Sequence, residues 1–321
     1  MSGNTDARPK LGISSCLLGN EVRYDGGHKH NRYVTQTLGK YFDFVPFCPE
    51  VAIGLPTPRS PIRLVGEGDA IRVLGTDDAS LDYTEKLKSY GNRVAASLDD
   101  YCGYIVKKDS PSCGMERVKV YQEKKEAPPV RRGSGMYTSA VMESRPELPV
   151  EEEGRLMDPG LRENFVIRVF TLFRWRCVVQ EGLTPRSLVE FHTRHKFLLL
   201  AHHEATYRQL GPLVAKAGIG DLDALANEYI VTLMQGLCHV ATPGKQANVL
   251  MHIMGFIKNR MTDEDKTEML DLIEMHQSGL VPVIVPITLM NHFLRRYPHE
   301  YIDKQYFLEP HPRELMLRNH I

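Results

Sequence analysis

The sequence predicts an α/β protein in two parts: an N-terminal mixed or parallel sheet with helices, followed by a C-terminal all-α helical domain. Three observations predict this. Short apolar runs ending in turn residues recur in the first half and read as strands. Helix caps and helical spacing dominate from about Thr184 onward. Charged stretches rich in proline and glycine lie between the two parts.

Taken in order, "KLGISSC" reads as a strand ending at Cys16, "FDFVPFC" as a strand ending at Cys48, and "GYIVKKDSPSC" as a strand ending at Cys113. "AIRVLG" and "RVKVYQ" read as further short strands. Residues 79–102 read as a helix, with Tyr83, Leu87, Tyr90 and Val94 at helical spacing and Cys102 at its end. "EKKEAPPVRRGSG" and "ESRPELPVEEEGRLMDPG" read as linkers, with a short helix at "MYTSAVME" between them. Asp158 and Pro159 then open a helix. The expected domains are residues 1–150, a connecting segment with a helix at 151–183, and a helical domain at 184–321. Thr184 caps a helix whose first residue is Pro185, and that region ends at Gly218. Thr262 caps a later helix, with Asp265 three residues on.

Composition narrows the function. Hydrophobic residues make up 42% and charged residues 25%, as in globular proteins. The formal net charge is zero, so no overall basic field advertises nucleic acid or a membrane. No apolar run reaches the ~18 residues of a membrane span, and no secretory leader is seen. A cytoplasmic protein is expected, with no membrane and no dinucleotide partner. In that compartment its six cysteines serve packing, metal or catalysis rather than disulfides.

Cys16, Cys48 and Cys113 each follow a predicted strand and sit in turn sequences: "SSCLLGN", "FCPEV" and "SPSCGM". The carboxyl edge of a parallel sheet is where ligands collect, so three cysteines far apart in sequence can meet there. Three thiolates without a fourth hold an iron–sulfur cluster with one open iron, or a zinc ion completed by His28 or His30. Cys102, Cys177 and Cys238 lack this setting and read as packing residues.

"SSCLLGNEVRYDGGHK", "FCPEVAIGLPTPRSPI" and "KKDSPSCG" together closely resemble the TudS-type thiouracil desulfidase family. "RRGSGMYTSAVME" resembles the end of that domain, so the likeness covers residues 10 to 145. "FHTRHKFLLLAHHEATYRQLG" resembles the YbgA-like helical domain, and the fusion resembles the RudS-type thiouridine desulfidases. The resemblance implies a [4Fe–4S] cluster held by Cys16, Cys48 and Cys113, whose open iron takes sulfur from a thiolated pyrimidine. It also implies 4-thiouridine in tRNA as substrate. Free thiouracil or a thionucleoside is the alternative, and a zinc-stabilised interaction protein is a third reading.

The chemistry needs a base, and Glu50 stands two residues from Cys48. Ser110 and Ser112 flank Pro111 and can donate to substrate or sulfur; the family motif favours Ser110 as the substrate-facing one. Tyr24, Asp25, Gly26 and Arg59 are candidate substrate contacts. In the helical domain, Lys and Arg total 14 against 15 Asp and Glu over residues 186–321. Any RNA contact there needs a local patch, and His192, Arg194, Lys196, Tyr207 and Arg208 are the candidates.

Overall fold

A computed structural model describes residues 7–122 and 128–320. The chain divides into two compact units, Met1–Met157 and Asp158–Ile321. Each is described by itself.

The first unit is built on β1 (Lys10–Ser14), β2 (Asp43–Phe47), β3 (Ile62–Val65), β4 (Arg72–Gly75), β5 (Tyr101–Val106), β6 (Val118–Tyr121), β7 (Val130–Gly133) and β8 (Val150–Glu152). One sheet runs β2-β1-β5-β8 and all its pairings are parallel. A second sheet runs β4-β3-β6-β7 and is mixed. In β1, Leu11 and Ile13 are fully buried, and every residue of β5 is buried. Covering on both faces explains why these strands read as continuous apolar runs. Pro46 sits in β2, an edge strand, where its missing N–H costs no internal ladder bond.

Helices α1 (Pro49–Ala52), α2 (Thr84–Ala95) and α3 (Met136–Ser144) complete this unit. The rings of Tyr90 on α2 and Tyr137 on α3 stack with centroids 5.5 Å apart. The hydroxyl of Tyr137 meets that of the buried Tyr104 on β5 at 2.9 Å, so neither phenol is left unpaired in the interior.

Several expected boundaries differ. The predicted helix over 79–102 is shorter, because Asp82 accepts from the Thr84 backbone and hydroxyl and starts the helix there. Cys102 lies in β5 rather than at a helix end. β5 ends at Val106, so Cys113 stands on the following loop, seven residues on. The two linker-like zones also hold strands. β7 occupies Val130–Gly133 and β8 occupies Val150–Glu152, each recruited by pairing with a neighbour that sequence pattern does not show. Residues 123–127 of the first zone lie outside the described residues.

The second unit comprises α4 (Pro159–Gln180), α5 (Pro185–His202), α6 (Glu204–Val214), α7 (Leu222–Leu237), α8 (Pro243–Ile257), α9 (Asp263–Gln277), α10 (Ile284–Arg296) and the short α11 (Glu300–Asp303). The expected connecting segment with a helix, at 151–183, holds the end of β8 and all of α4. β8 ends in the first unit's sheet, and α4 buries Phe165, Val166, Val169, Leu172 and Trp175 in the helical core. Asp158 caps α4 by accepting from Leu161 N at 2.9 Å. Thr184 and Ser187 form a reciprocal cap on α5. The region 184–218 breaks at His203, whose extended backbone and ring nitrogen cap α6 instead. Among the described residues no helix is long and apolar enough to cross a membrane.

Candidate active site

The parallel sheet sets the site. β1 is central, with β2 on one side and β5 on the other, so chain direction across the sheet reverses beside β1. Crevices form at the carboxyl edge of such a switch point. A tight turn after β1 carries Cys16 (Ser15–Leu18), Cys48 precedes α1, and the loop after β5 carries Cys113. All three line one cleft of about 340 Å³.

None of the three is in a disulfide. Burial pushes the Cys16 thiol up to about 11 and the Cys113 thiol up to about 12, and raises Cys48 as well. As bare thiols they are neutral, and a bound metal is what would make them thiolates. Charge on Cys48 is felt at both Cys16 and Cys113. The loop holding Cys113 is fixed from behind. Gly135 comes so close that a Cβ there would lie 2.5 Å from the backbone C and O of Ser112. The hydroxyl of Thr138 donates to Cys113 O at 2.7 Å.

Glu50 faces the same cleft, and both of its oxygens are held. Ser112 Oγ donates to Oε1 at 2.5 Å. Arg59 donates to Oε2 through Nε at 2.9 Å and sits at 2.8 Å through Nη2. The rest of that guanidinium holds Val22 O, Pro56 O and Thr57 Oγ1. Ser110 Oγ accepts from Ser112 N and Cys113 N, and lies 3.0 Å from Ser112 Oγ. The hydroxyl proton of Ser112 is committed to Glu50, so Ser110 donates to Ser112. The result is a directed chain from Ser110 through Ser112 to Glu50.

Cys16, Cys48, Cys113, Glu50, Ser110, Arg59 and Tyr24 all line the cleft. Ser112 is fully buried behind it. Asp25 and Gly26 are not among its walls. Asp25 accepts from Gly27 N at 3.1 Å, which holds its carboxyl below the usual range, and Gly26 takes the left-handed φ of +76°. Sequence reasoning missed Ser14, Lys107 and Lys108. Ser14 Oγ accepts from Lys107 N at 2.9 Å. The two lysines open the quoted motif "KKDSPSC", and their position just past a strand was the available clue. With Arg23, Lys29 and Arg59 they give the cleft five basic side chains against two acidic ones, Glu50 and Asp109.

The helical candidates do not form one surface. His192 and His195 are buried; His192 reaches Tyr229 Oη at 3.3 Å, and burial pushes it down to about 4. Arg194 lies over the Tyr306 ring and Lys196 over the Tyr301 ring. Tyr207 is half-buried, and the exposed Arg208 pairs with Glu204 at 2.5 Å. Cys102 is buried in β5, Cys177 is half-buried on α4, and Cys238 is exposed after α7.

Three soft donors, no fourth cysteine and a cationic surround suit an anionic polynuclear group. Among the described residues no three His, Cys, Asp or Glu side chains converge as one metal ion would require. Neither His28 nor His30 lines the cleft; His28 Nδ1 accepts from His30 N at 3.2 Å and His30 Nε2 lies 3.0 Å from Thr35 Oγ1.

Comparison with known proteins adds the following. A family profile described as 2-thiouracil desulfurase matches residues 11–153. A second, described as a protein of unknown function (DUF1722), matches residues 196–312. The uncharacterised protein YbgA of Escherichia coli (strain K12) is 31% identical over 158 residues, 49% of this chain and 94% of that protein. The uncharacterised protein YbbK of Bacillus subtilis (strain 168) is 32% identical over 113 residues, 32% of this chain and 71% of that protein. Among solved structures, a [4Fe-4S]-dependent thiouracil desulfidase, TudS, is 28% identical, with a TM-score of 0.38, covering 47% of this chain and 95% of that one.

Proposed function

The chain belongs to the 2-thiouracil desulfurase family, joined to a DUF1722 domain, and on that premise we propose that it replaces the thiocarbonyl sulfur of a thiolated uracil with oxygen. The observation that carries this reading is the meeting of Cys16, Cys48 and Cys113 in one cleft with the Ser110–Ser112–Glu50 chain. The overall step balances without redox change. Water gives its oxygen to the ring carbon, the C=S bond becomes C=O, and sulfur leaves as sulfide with the water's protons.

Cys16, Cys48 and Cys113 would hold a [4Fe–4S] cluster. When bound, it supplies an open iron that draws electron density through the thione sulfur. The protein's own groups handle the rest. Ser110 faces the cleft, and on releasing its longer contact, from Ser112 N, its Oγ takes the water proton while passing its own to Ser112. Ser112 passes its proton to Glu50 Oε1, the end of the chain. Arg59 holds Glu50 Oε2 and keeps the carboxylate aimed at Ser112. Such positioned proton transfer contributes typically 10²–10⁴-fold.

For the substrate, the proposal is 4-thiouridine within tRNA. Lys29 and Lys108 are exposed on the cleft wall and Arg23 is half-exposed beside them, so a phosphate-bearing nucleotide meets cations there that a free base does not use. Desulfidation of 4-thiouridine-bearing tRNA, free 4-thiouridine and 2-thiouracil at rising salt tests this. The reading expects the tRNA preference to shrink as salt rises. Equal rates on tRNA and nucleoside at all salt concentrations would assign the enzyme to free substrates.

A further inference from the structure

The helical unit contains a separate cavity of about 210 Å³, bounded by α4, the end of α5, the start of α8 and the C-terminal segment. It shares no residue with the cysteine cleft. Its walls are largely apolar, with Ile167, Leu198 and Phe307 among them. Six polar side chains that line it are more than nine-tenths buried; Gln246 and His276 meet each other at 2.9 Å, and the other four are Glu163 at 6% exposure, Asn164 at 4%, His202 at 2% and Arg318 at 5%. Burying such groups is costly unless their polar atoms find partners.

Each of those four is fixed on one side and open on the other. Asn164 Nδ2 donates to Leu237 O at 2.8 Å and to His239 O at 3.3 Å. Both partners are carbonyls, so the amide orientation is set and Oδ1 remains an acceptor. His202 Nδ1 donates to His239 O at 2.6 Å, which leaves a lone pair on Nε2. Burial pushes this imidazole down to about 4, so it is neutral at physiological pH. Glu163 Oε1 accepts from Arg318 Nε at 3.0 Å. Oε2 has His320 Nε2 at 3.7 Å, beyond hydrogen-bond length. Arg318 Nη1 donates to Phe307 O at 2.6 Å. Nη2 has no partner among the described residues.

Those four side chains leave three acceptors and one donor at a mainly apolar cavity, and Gln246, held through Oε1, adds its amide Nε2 as a second donor. The charges of Glu163 and Arg318 cancel, so a charged ligand would find no counter-ion of its own. The cavity is smaller than the roughly 300 Å³ at which drug-sized sites begin. The matching chemistry is a small ring with N–H groups beside a carbonyl. We propose that this cavity is a binding site for a small uncharged cyclic amide or ureide, the class to which pyrimidine bases belong, held by Asn164, His202, Glu163 and Arg318.

The test uses the full chain with uracil as the probe. Titration calorimetry follows binding to the wild type, Asn164→Leu and Ala241→Leu. Ala241 lines the cavity and is half-buried, so a larger side chain there occludes it without touching the four polar groups. Crystals soaked in uracil, and separately in inorganic phosphate, show what the cavity holds. The proposal expects uracil density against Asn164 and His202, and affinity more than about tenfold weaker in both variants, through lost hydrogen bonding in Asn164→Leu and through occlusion in Ala241→Leu. It also expects Ala241→Leu to desulfidate free thiouracil like the wild type. If Asn164→Leu does not fold, Ala241→Leu and the crystals decide. Unchanged uracil affinity in Ala241→Leu overturns the proposal, because the heat then comes from the cysteine cleft. A cavity that takes phosphate but not uracil, or stays empty of both, overturns it as well. None of these outcomes bears on whether the first unit is a desulfidase.

Discussion

Replacing Arg59 with methionine should loosen the cleft through Glu50. The side chains of Arg59 and Glu50 are only 5% and 14% exposed, so their charges are little screened. Arg59→Met removes both contacts to Oε2 and the bonds to Val22 O and Pro56 O at 2.9 and 3.1 Å. Stranding one member of a buried pair costs about 3–5 kcal/mol. In a Glu50→Gln background no charge is stranded, and the same replacement should cost about 1.5–3 kcal/mol less, the range for a hydrogen bond to a charged group. That difference is the coupling in a double-mutant cycle. The assay must see the first unit alone. Trp175, the only tryptophan, lies on α4 in the helical unit. Hydrogen exchange in β1 and β5 therefore reports the perturbed unit, and Trp175 fluorescence serves as a control that should not move. Additive effects in the cycle, with coupling below about 0.5 kcal/mol, would refute the claim that Arg59 holds Glu50.

Three further outcomes are expected. Ser112→Ala should lower the desulfidation rate by about 10²-fold or more while leaving iron content intact, since it cuts the chain between Ser110 and Glu50; a rate within twofold of wild type would remove Ser112 from the reaction. Gly135→Ala should destabilise the first unit by about 1–3 kcal/mol, because its Cβ would press on the Ser112 backbone, and exchange protection in β5 measures it. The helical unit should weaken in acid. His192, His202 and His311 are each pushed down by burial to about 4, so the unfolded chain binds more protons between about 6.5 and about 4. Stability is complete above that window and falls as pH drops through it, by about 2 kcal/mol per histidine at pH 5. A Trp175 urea midpoint that stays flat from pH 7.5 to 5 would contradict this.

The cysteine trio was legible because each member follows an apolar run that ends in turn residues, and a parallel sheet brings such ends together. The caps at Asp158, Thr184 and Thr262 were legible too, since capping is local chemistry. β7 and β8 were not, because "VRRG" and "VEE" become strands only by pairing with β6 and β5. The inward turn of His192 was equally hidden. A histidine four residues from a lysine fits a charged helix face, and only Tyr229, 37 residues on, shows that it is interior. Arg59 read as a substrate contact, and its pairing with Glu50 needed the fold of the intervening proline-rich turn.

The most direct test of the central claim measures iron, acid-labile sulfide and thione loss together in wild type and in Cys16→Ser, Cys48→Ser and Cys113→Ser, all purified without oxygen. The account predicts about four irons and four sulfides per wild-type chain, with sulfide released from a thiolated uracil, and loss of both in every variant. A serine variant that keeps its full iron and still releases sulfide at the wild-type rate would contradict it.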